Sequence, residues 1–403
     1  MTQYVCAYRG RRDNYQVPLA LAEAGLLDQF ITDFYTPNRW QQVASYLPKS
    51  WQAKLAFRHH AGLSSNHVQC LWQSTLQEHT RHRLGWSAAR TYAALDPIFS
   101  KRAAARARKK RSNLFLYSPY AWEAFRDHYS HTPYKVLFQF HPHSQFEDRI
   151  LTDDRQQYPQ VEQSYRAEVG RDLPPAAKQR EQDCWQYADL IICASNFTRD
   201  TLLEAGVDPS RCRVLPYGVD LPPLTHAVAS STFQALFVGS GIQRKGLHHL
   251  LQAWKVATLP KGSQLTLVCR VIDPGIRAMA ETTPGVQLIP GVSHATLAEL
   301  FQRSSLLVMP SLVEGFGQVF LEALSYGCPV LGTTHTCLPN LGGETDGIFL
   351  SQVGNLDHLR EQIESLSQAL PGNTHLRHRA RNCASRFSWR NFRLSLCNLV
   401  QFP

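Results

Sequence analysis

Short apolar runs, each closed by turn residues and followed by a stretch of helical spacing, recur along most of the chain. In the first half they predict strands at Tyr4 to Tyr8, Gln29 to Phe34, Leu114 to Tyr117, Val136 to Phe140 and Leu190 to Ala194. In the second half they fall at Ala235 to Gly239, Leu265 to Arg270, Val286 to Ile289, Leu306 to Met309 and Val330 to Gly332. Strands alternating with helices imply parallel sheets joined by crossovers, the doubly wound α/β class. Between the two sets, Pro216-Tyr217-Gly218-Val219-Asp220-Leu221-Pro222-Pro223 sustains neither helix nor sheet. It separates a first domain at 1–220 from a second at 221–387, with a helix at about 388–403 expected to pack back on the first. The stretch 36–113 breaks the rhythm, carries Trp40, Trp51, Trp72 and Trp86 among basic residues, and is expected to be a helical insertion.

The length of 403 residues suits two cores, and 43% apolar with 18% charged residues excludes a disordered or low-complexity chain. No apolar run is long enough to span a bilayer, and the first residues lack the basic-then-apolar pattern of a secretory leader. A cytoplasmic protein is expected. The ten cysteines show no Cys-x-x-Cys spacing, so neither a zinc site nor a disulfide framework is indicated, and no cofactor is expected.

The net charge of +10 is unevenly placed: residues 1–120 hold 17 Lys and Arg against 6 Asp and Glu, and the rest are nearly balanced. The run Lys101 to Arg111 has seven positive charges and no negative one. This points to an anionic surface or substrate as neighbour, an anionic membrane surface among them, with a well-solvated face as the alternative. No nucleic-acid motif accompanies the charge.

The densest chemistry follows the run Leu306 to Met309, where Glu314-Gly315-Phe316-Gly317 opens a helical stretch that carries Glu322. Backbone N–H groups at such a helix start suit a diphosphate, and the glycines let it approach. Earlier, Phe237-Val238-Gly239-Ser240-Gly241-Ile242-Gln243-Arg244-Lys245-Gly246 joins a strand to a helix. Gly241 and Gly246 have P-loop spacing, but Leu247-His248 follows where Lys and Ser or Thr are required. In the first domain, His141-Pro142-His143 ends a strand, and Gly10-Arg11-Arg12-Asp13-Asn14 joins the first strand to the first helix. Both loops belong to the ligand edge of a parallel sheet.

Glu314 to Glu322 with Gly327-Cys328-Pro329-Val330, the loop from Gly239 to Lys245, Val214 to Asp220 and Ala194 to Thr198 together resemble glycosyltransferase family 4. The resemblance is good over about 185–390 and poor over the first 130 residues. It implies two Rossmann-like domains facing a cleft, the GT-B architecture. It also implies metal-independent transfer, with retention, of a sugar from a nucleotide diphosphate to a glycan, lipid-linked or small-molecule acceptor. A noncatalytic nucleotide-sugar or glycan-binding protein on the same fold is the alternative.

By resemblance, Glu314 holds the transferred sugar, Glu322 the ribose and Lys245 the diphosphate, with one of His141 and His143 against the sugar. Gly239, Ser240, Gly241, Gly315, Phe316 and Gly317 shape the donor site, while Gly10, Arg11, Arg12 and Asn14 face the acceptor. Ser240 stands where the family commonly has arginine, and Arg244 is expected to supply that charge. Tyr217 stands where asparagine is usual.

Overall fold

The computed structural model describes residues 3–37, 40, 46, 48–169, 173–223 and 230–401. Its first sheet is built from β1 (Tyr4–Ala7), β2 (Leu27–Thr32), β3 (Val68–Cys70), β4 (Asn113–Tyr117), β5 (Lys135–Gln139), β6 (Leu190–Cys193) and β7 (Cys212–Val214). The second contains β8 (Gln234–Val238), β9 (Gln264–Val268), β10 (Val286–Ile289), β11 (Leu306–Val308), β12 (Val330–Thr333) and β13 (Ile348–Ser351). The strands run in the order β3-β2-β1-β4-β5-β6-β7 and β10-β9-β8-β11-β12-β13, every described pairing parallel. Both sheets are therefore doubly wound, with switch points between β1 and β4 and between β8 and β11. Ligands of such sheets bind beyond the strand ends at these points.

Six helices matter below: α1 (Gln16–Glu23), α2 (Ala88–Lys110), α3 (Ser144–Gln157), α4 (Leu247–Val256), α5 (Gln318–Ser325) and α6 (Trp389–Gln401). The central strands are sealed on both faces, as the fully buried run Tyr4-Val5-Cys6-Ala7 shows. Truncating such a residue, Leu236→Ala for instance, costs about 2–5 kcal/mol because the packed interior cannot close the void.

The stretch 36–113 is not wholly a helical insertion. It holds β3 at the sheet edge, and α2 is the ordinary crossover into β4. Helix α6 buries Trp389, Phe392, Leu396 and Val400, three or four residues apart, on a single face. That face lies on the first domain: Tyr4 Oη donates to Val400 O at 2.9 Å, and Arg393 reaches Glu23 at 2.8 Å and Gln16 at 2.7 Å. The two chain crossings between domains run side by side, joined by the bridge Val219 to Ser388. A Cβ on Gly218 would stand 2.5 Å from Trp389 N, so no larger residue fits there.

Candidate active site

Two loops meet at the second switch point, because Gly246 turns the chain at φ +68° where a Cβ would stand 2.0 Å from Pro310 O. Arg244 O then accepts from Leu312 N at 2.9 Å and Val313 N at 3.3 Å, locking the loop after β8 against the loop after β11. The side chains of Arg244, Lys245 and Glu314 converge as a result. Arg244 Nη1 lies 3.0 Å from Glu314 Oε2, and Lys245 Nζ is in direct contact with the same oxygen. Arg244 Nε also donates to Glu168 of the first domain at 3.0 Å.

Glu314 is 8% exposed. Burial works to raise its carboxyl, but Lys245 and Arg244 outweigh burial and hold it down at about 2. Lys245 is lowered from its ordinary value, first by burial and then by Arg244, with Glu314 opposing. Burial likewise opposes the charge on Arg244, yet Glu314 and Glu168 overcome it and raise the group. The cluster is thus two cations held ready by carboxylates in a water-poor place, where they act strongly on any anion that replaces those partners.

The first domain closes over the cluster at Gly315. A Cβ on Gly315 would stand 1.9 Å from Phe140 O, and its carbonyl accepts from Ser195 Oγ at 2.6 Å and Thr198 Oγ1 at 3.1 Å. This close approach carries His141 to the cluster. His141 is exposed and lines the cavity beside Arg244, and its pKa is pushed down, first by desolvation and then by Arg244, with Glu314 opposing. These influences favour the neutral ring. His143 is not at the site: it is buried, its N–H bonds Thr201 Oγ1 at 3.0 Å, and its Nε2 meets Gln182 O at 3.0 Å. Its ring belongs to the wall at the start of α3, so of the two candidate histidines the geometry leaves His141 beside the cluster.

Gly317 caps α5 at φ +84°, where a Cβ would crowd the Phe320 ring at 2.8 Å. Phe316 is buried edge-on to Tyr217, their centroids 5.1 Å apart, and Tyr217 stacks on Phe138 at 5.6 Å. Phe316 and Tyr217 thus pin the donor loop, the linker and β5 together. Glu322 lines a cavity of about 470 Å³ with Asp13, Asn14, Tyr217, His294 and Gln318. Burial raises its carboxyl, partly countered by His294. Arg244 and His141 line a separate cavity of about 360 Å³. Glu322 therefore faces a different chamber from Arg244, the partner of Glu314. Gly239 and Gly241 form the turn after β8, where a Cβ on Gly241 would stand 2.7 Å from Ile272, and Ser240 between them is half-buried.

The loop after β1 supplies the other wall. Gly10 N donates to Asp33 Oδ1 at 3.0 Å, the Arg11 guanidinium lies 4.8 Å over Phe57, and that of Arg12 lies 4.5 Å over Phe140. Asp13, Asn14 and Tyr15 all adopt positive φ, 47°, 51° and 64°, a left-handed run rare for residues with side chains. Tyr117 Oη bonds Asp13 and helps hold this shape. Sequence reasoning did not single out Asp13, Glu168 or His294. They sit on separate elements and lack a motif.

Two family models match the chain: "Glycosyltransferase Family 4" over residues 41–222 and "Glycosyl transferases group 1" over residues 232–369. D-inositol 3-phosphate glycosyltransferase of Pseudarthrobacter chlorophenolicus is 30% identical over 191 residues, 42% of this chain and 43% of that protein. MMP alpha-(1->4)-mannosyltransferase of Mycolicibacterium hassiacum is 26% identical over 163 residues, 39% of this chain and 40% of that one. The chain spans less than half the length of these two relatives. Among solved structures, sucrose-phosphate synthase from Thermosynechococcus elongatus superposes with a TM-score of 0.72 at 17% identity, covering 100% of this chain and 98% of that one. WaaG, a glycosyltransferase involved in lipopolysaccharide biosynthesis, gives 0.62 at 15% identity, covering 99% and 100%. These likenesses show a shared two-domain fold.

Proposed function

Because this chain belongs to the glycosyltransferases of family 4 and has their GT-B fold, we propose that it transfers a sugar, with retention, from a nucleoside diphosphate sugar to an acceptor bound against its first domain. The observation that carries this reading is the convergence of Lys245 and Arg244 on one oxygen of Glu314 at the β8–β11 switch point. Departure of a nucleoside diphosphate builds negative charge on the leaving oxygen. Lys245, a compact cation with three donors, leaves Glu314 for the diphosphate, while Arg244 remains tethered to Glu168. Glu314, relieved of one cation, accepts from the hydroxyls of the sugar. His141, neutral, donates or accepts one hydrogen bond across the cleft without adding charge. Glu322, in the neighbouring chamber, takes the ribose.

No side chain in this account removes the acceptor proton. The leaving phosphate oxygen takes it. A noncatalytic binder would not require two cations poised for a developing charge, so the transfer reading is preferred. The test is release of nucleoside diphosphate from UDP-, GDP- and ADP-sugars by the purified protein, with Lys245→Ala and Glu314→Ala as controls.

The acceptor side is part of the same proposal. Among the described residues no helix is long and apolar enough to cross a membrane. Lys101 to Arg111 ends α2 where that helix feeds the start of β4, the sheet edge away from the cleft. There Arg106 pairs with Asp28 and Arg108 with Asp127. The exposed aromatic side chains belong to other segments: Trp40, Trp51, Phe57 and Trp72 are 52–62% exposed, and Arg11 of the loop after β1 lies over Phe57. Residues 34–77 include Lys49 and Lys54 and no acidic residue. We place contact with an anionic lipid surface at this rim, where amphipathic aromatics and lysines both find partners. That position holds a lipid-linked acceptor beside the cleft.

A further inference from the structure

A buried polar cluster outside the site joins the two domains. Asp154, on α3 of the first domain, is 8% exposed and accepts from three side chains of the second. Gln243 Nε2 donates to its Oδ2 at 2.8 Å, His249 Nε2 meets Oδ1 at 2.6 Å, and His248 Nε2 lies 3.1 and 3.2 Å from the two oxygens. Gln243 and His248 are 0% exposed and His249 is 3% exposed. Gln243 also donates to Leu151 O at 2.7 Å, and its backbone N–H to Ser164 Oγ at 3.2 Å. A carboxylate buried this deeply is tolerated only when its oxygens are fully hydrogen-bonded. The donors all come from across the interface, so the contact is complete only while the domains are closed on each other.

These three donors flank Arg244 and Lys245, and Gln243 directly precedes them. Arg244 O in turn holds the chain just before Glu314 through Leu312 N and Val313 N. We propose that Asp154 is a positioning residue for transfer: from the first domain it fixes the Gln243–His249 turn, and so sets Arg244 and Lys245 where the donor diphosphate meets them. The inference rests on the proposed function for its chemistry, and on the interface geometry for its mechanics.

Asp154, His248 and His249 have the spacing of a metal-ligand set, one ligand atom of each within 4.8 Å of the others. A metal-bound imidazole passes its other N–H to an acceptor. Among the described residues Nδ1 of His248 and of His249 has none. A ring that ligates through Nε2 would carry its proton on Nδ1, where no acceptor stands to take it, whereas hydrogen bonding to Asp154 needs the proton on Nε2. The cluster is therefore a hydrogen-bonded clamp. Burial lowers His248 in the same direction, with Asp154 opposing.

The experiment compares wild type, Asp154→Ala, Asp154→Asn, Lys245→Ala and the Asp154→Ala/Lys245→Ala double variant in the full-length protein. Asp154→Ala is expected to lower kcat/KM for the donor by about 10- to 100-fold, the size of losing charge-assisted hydrogen bonds, with Asp154→Asn between it and wild type. If Asp154 works through Lys245, the double variant falls little below Lys245→Ala. Fully additive losses would overturn the proposal. Amide hydrogen exchange supplies a readout independent of turnover: peptides covering 243–249 and 144–157 should lose protection in Asp154→Ala while the sheets keep theirs. Unchanged protection of those peptides would contradict the clamp even in a protein with no measurable transfer. Should zinc restore lost activity and a chelator abolish it in wild type alone, the cluster is a metal site and the clamp account fails. Wild type inactive on every donor, with exchange as expected, would sink the proposed function and leave the clamp standing.

Discussion

Arg244 Nη1 stands 3.0 Å from Glu314 Oε2, the oxygen that Lys245 also contacts, so the site's two cations share one carboxylate. The arrangement keeps both charges buried at a tolerable cost, because an unpaired ion in this setting is strongly destabilising. It also means that a donor must exchange with Glu314 for Lys245, and this makes the residues energetically interdependent.

Lys245→Ala should lower turnover by about 10²- to 10³-fold, the usual loss when one preorganised charge stabiliser is removed. Arg244→Ala should also slow turnover, and it leaves Glu168 without its partner at 3.0 Å. Steady-state kinetics with a saturating acceptor checks both. Wild-type kcat in Lys245→Ala would show that the diphosphate lies elsewhere.

Glu322→Ala should raise the donor KM more than it lowers kcat, because Glu322 lines the chamber apart from Arg244 and His141. Glu314→Ala should do the reverse. The comparison needs only initial rates over a range of donor concentrations. A larger KM change in Glu314→Ala than in Glu322→Ala would reverse the assignment of the two glutamates.

Acid should expose the Glu314 ion pair. Its folded-state carboxyl sits at about 2 against an ordinary 4.5, so the stability it contributes is fully present above 4.5 and is lost as pH falls toward about 2. The Glu314→Gln variant lacks that contribution throughout. The difference in denaturation midpoint between wild type and Glu314→Gln should therefore be constant near neutrality and shrink below pH 4.5. A difference independent of pH down to 3 would mean that the carboxylate is not held by the cations.

Much of this was legible in the sequence, and the exceptions have physical causes. Ten of the thirteen strands among the described residues announce themselves as apolar runs. The others, β3, β7 and β13, read Val-Gln-Cys, Cys-Arg-Val and Ile-Phe-Leu-Ser and sit at or near sheet edges, where half-burial weakens the pattern. The loops bearing Glu314, Glu322, Arg244 and Lys245 are contiguous motifs, so their residues could be named in advance. His141 and His143 lie two positions apart on a single loop, and only the burial of the His143 ring against Gln182 O separates them. Asp154 was invisible, since its partners are 89 to 95 residues away and nothing local marks the pairing.

Membrane contact at the aromatic rim predicts that Trp51→Ala/Phe57→Ala weakens pelleting with anionic vesicles more than neutralising Lys109 and Lys110 does. Attraction from Lys49 and Lys54, roughly 1 kcal/mol for each basic residue near the surface, should fade as salt rises. Cosedimentation at low and high salt measures both effects. A stronger effect from Lys109 and Lys110 would return the contact to α2.

The most direct test of the account is a binding titration of UDP, GDP and ADP into wild type, Lys245→Ala and Glu322→Ala, read by calorimetry and by the rise in melting temperature that a ligand of the native state produces. The account predicts that one of the three nucleotides binds wild type well ahead of the others. It also predicts that this binding weakens by about tenfold or more in each variant, the size of one charged hydrogen bond lost. Failure of all three nucleotides to bind wild type, or equal binding to wild type and both variants, would contradict it.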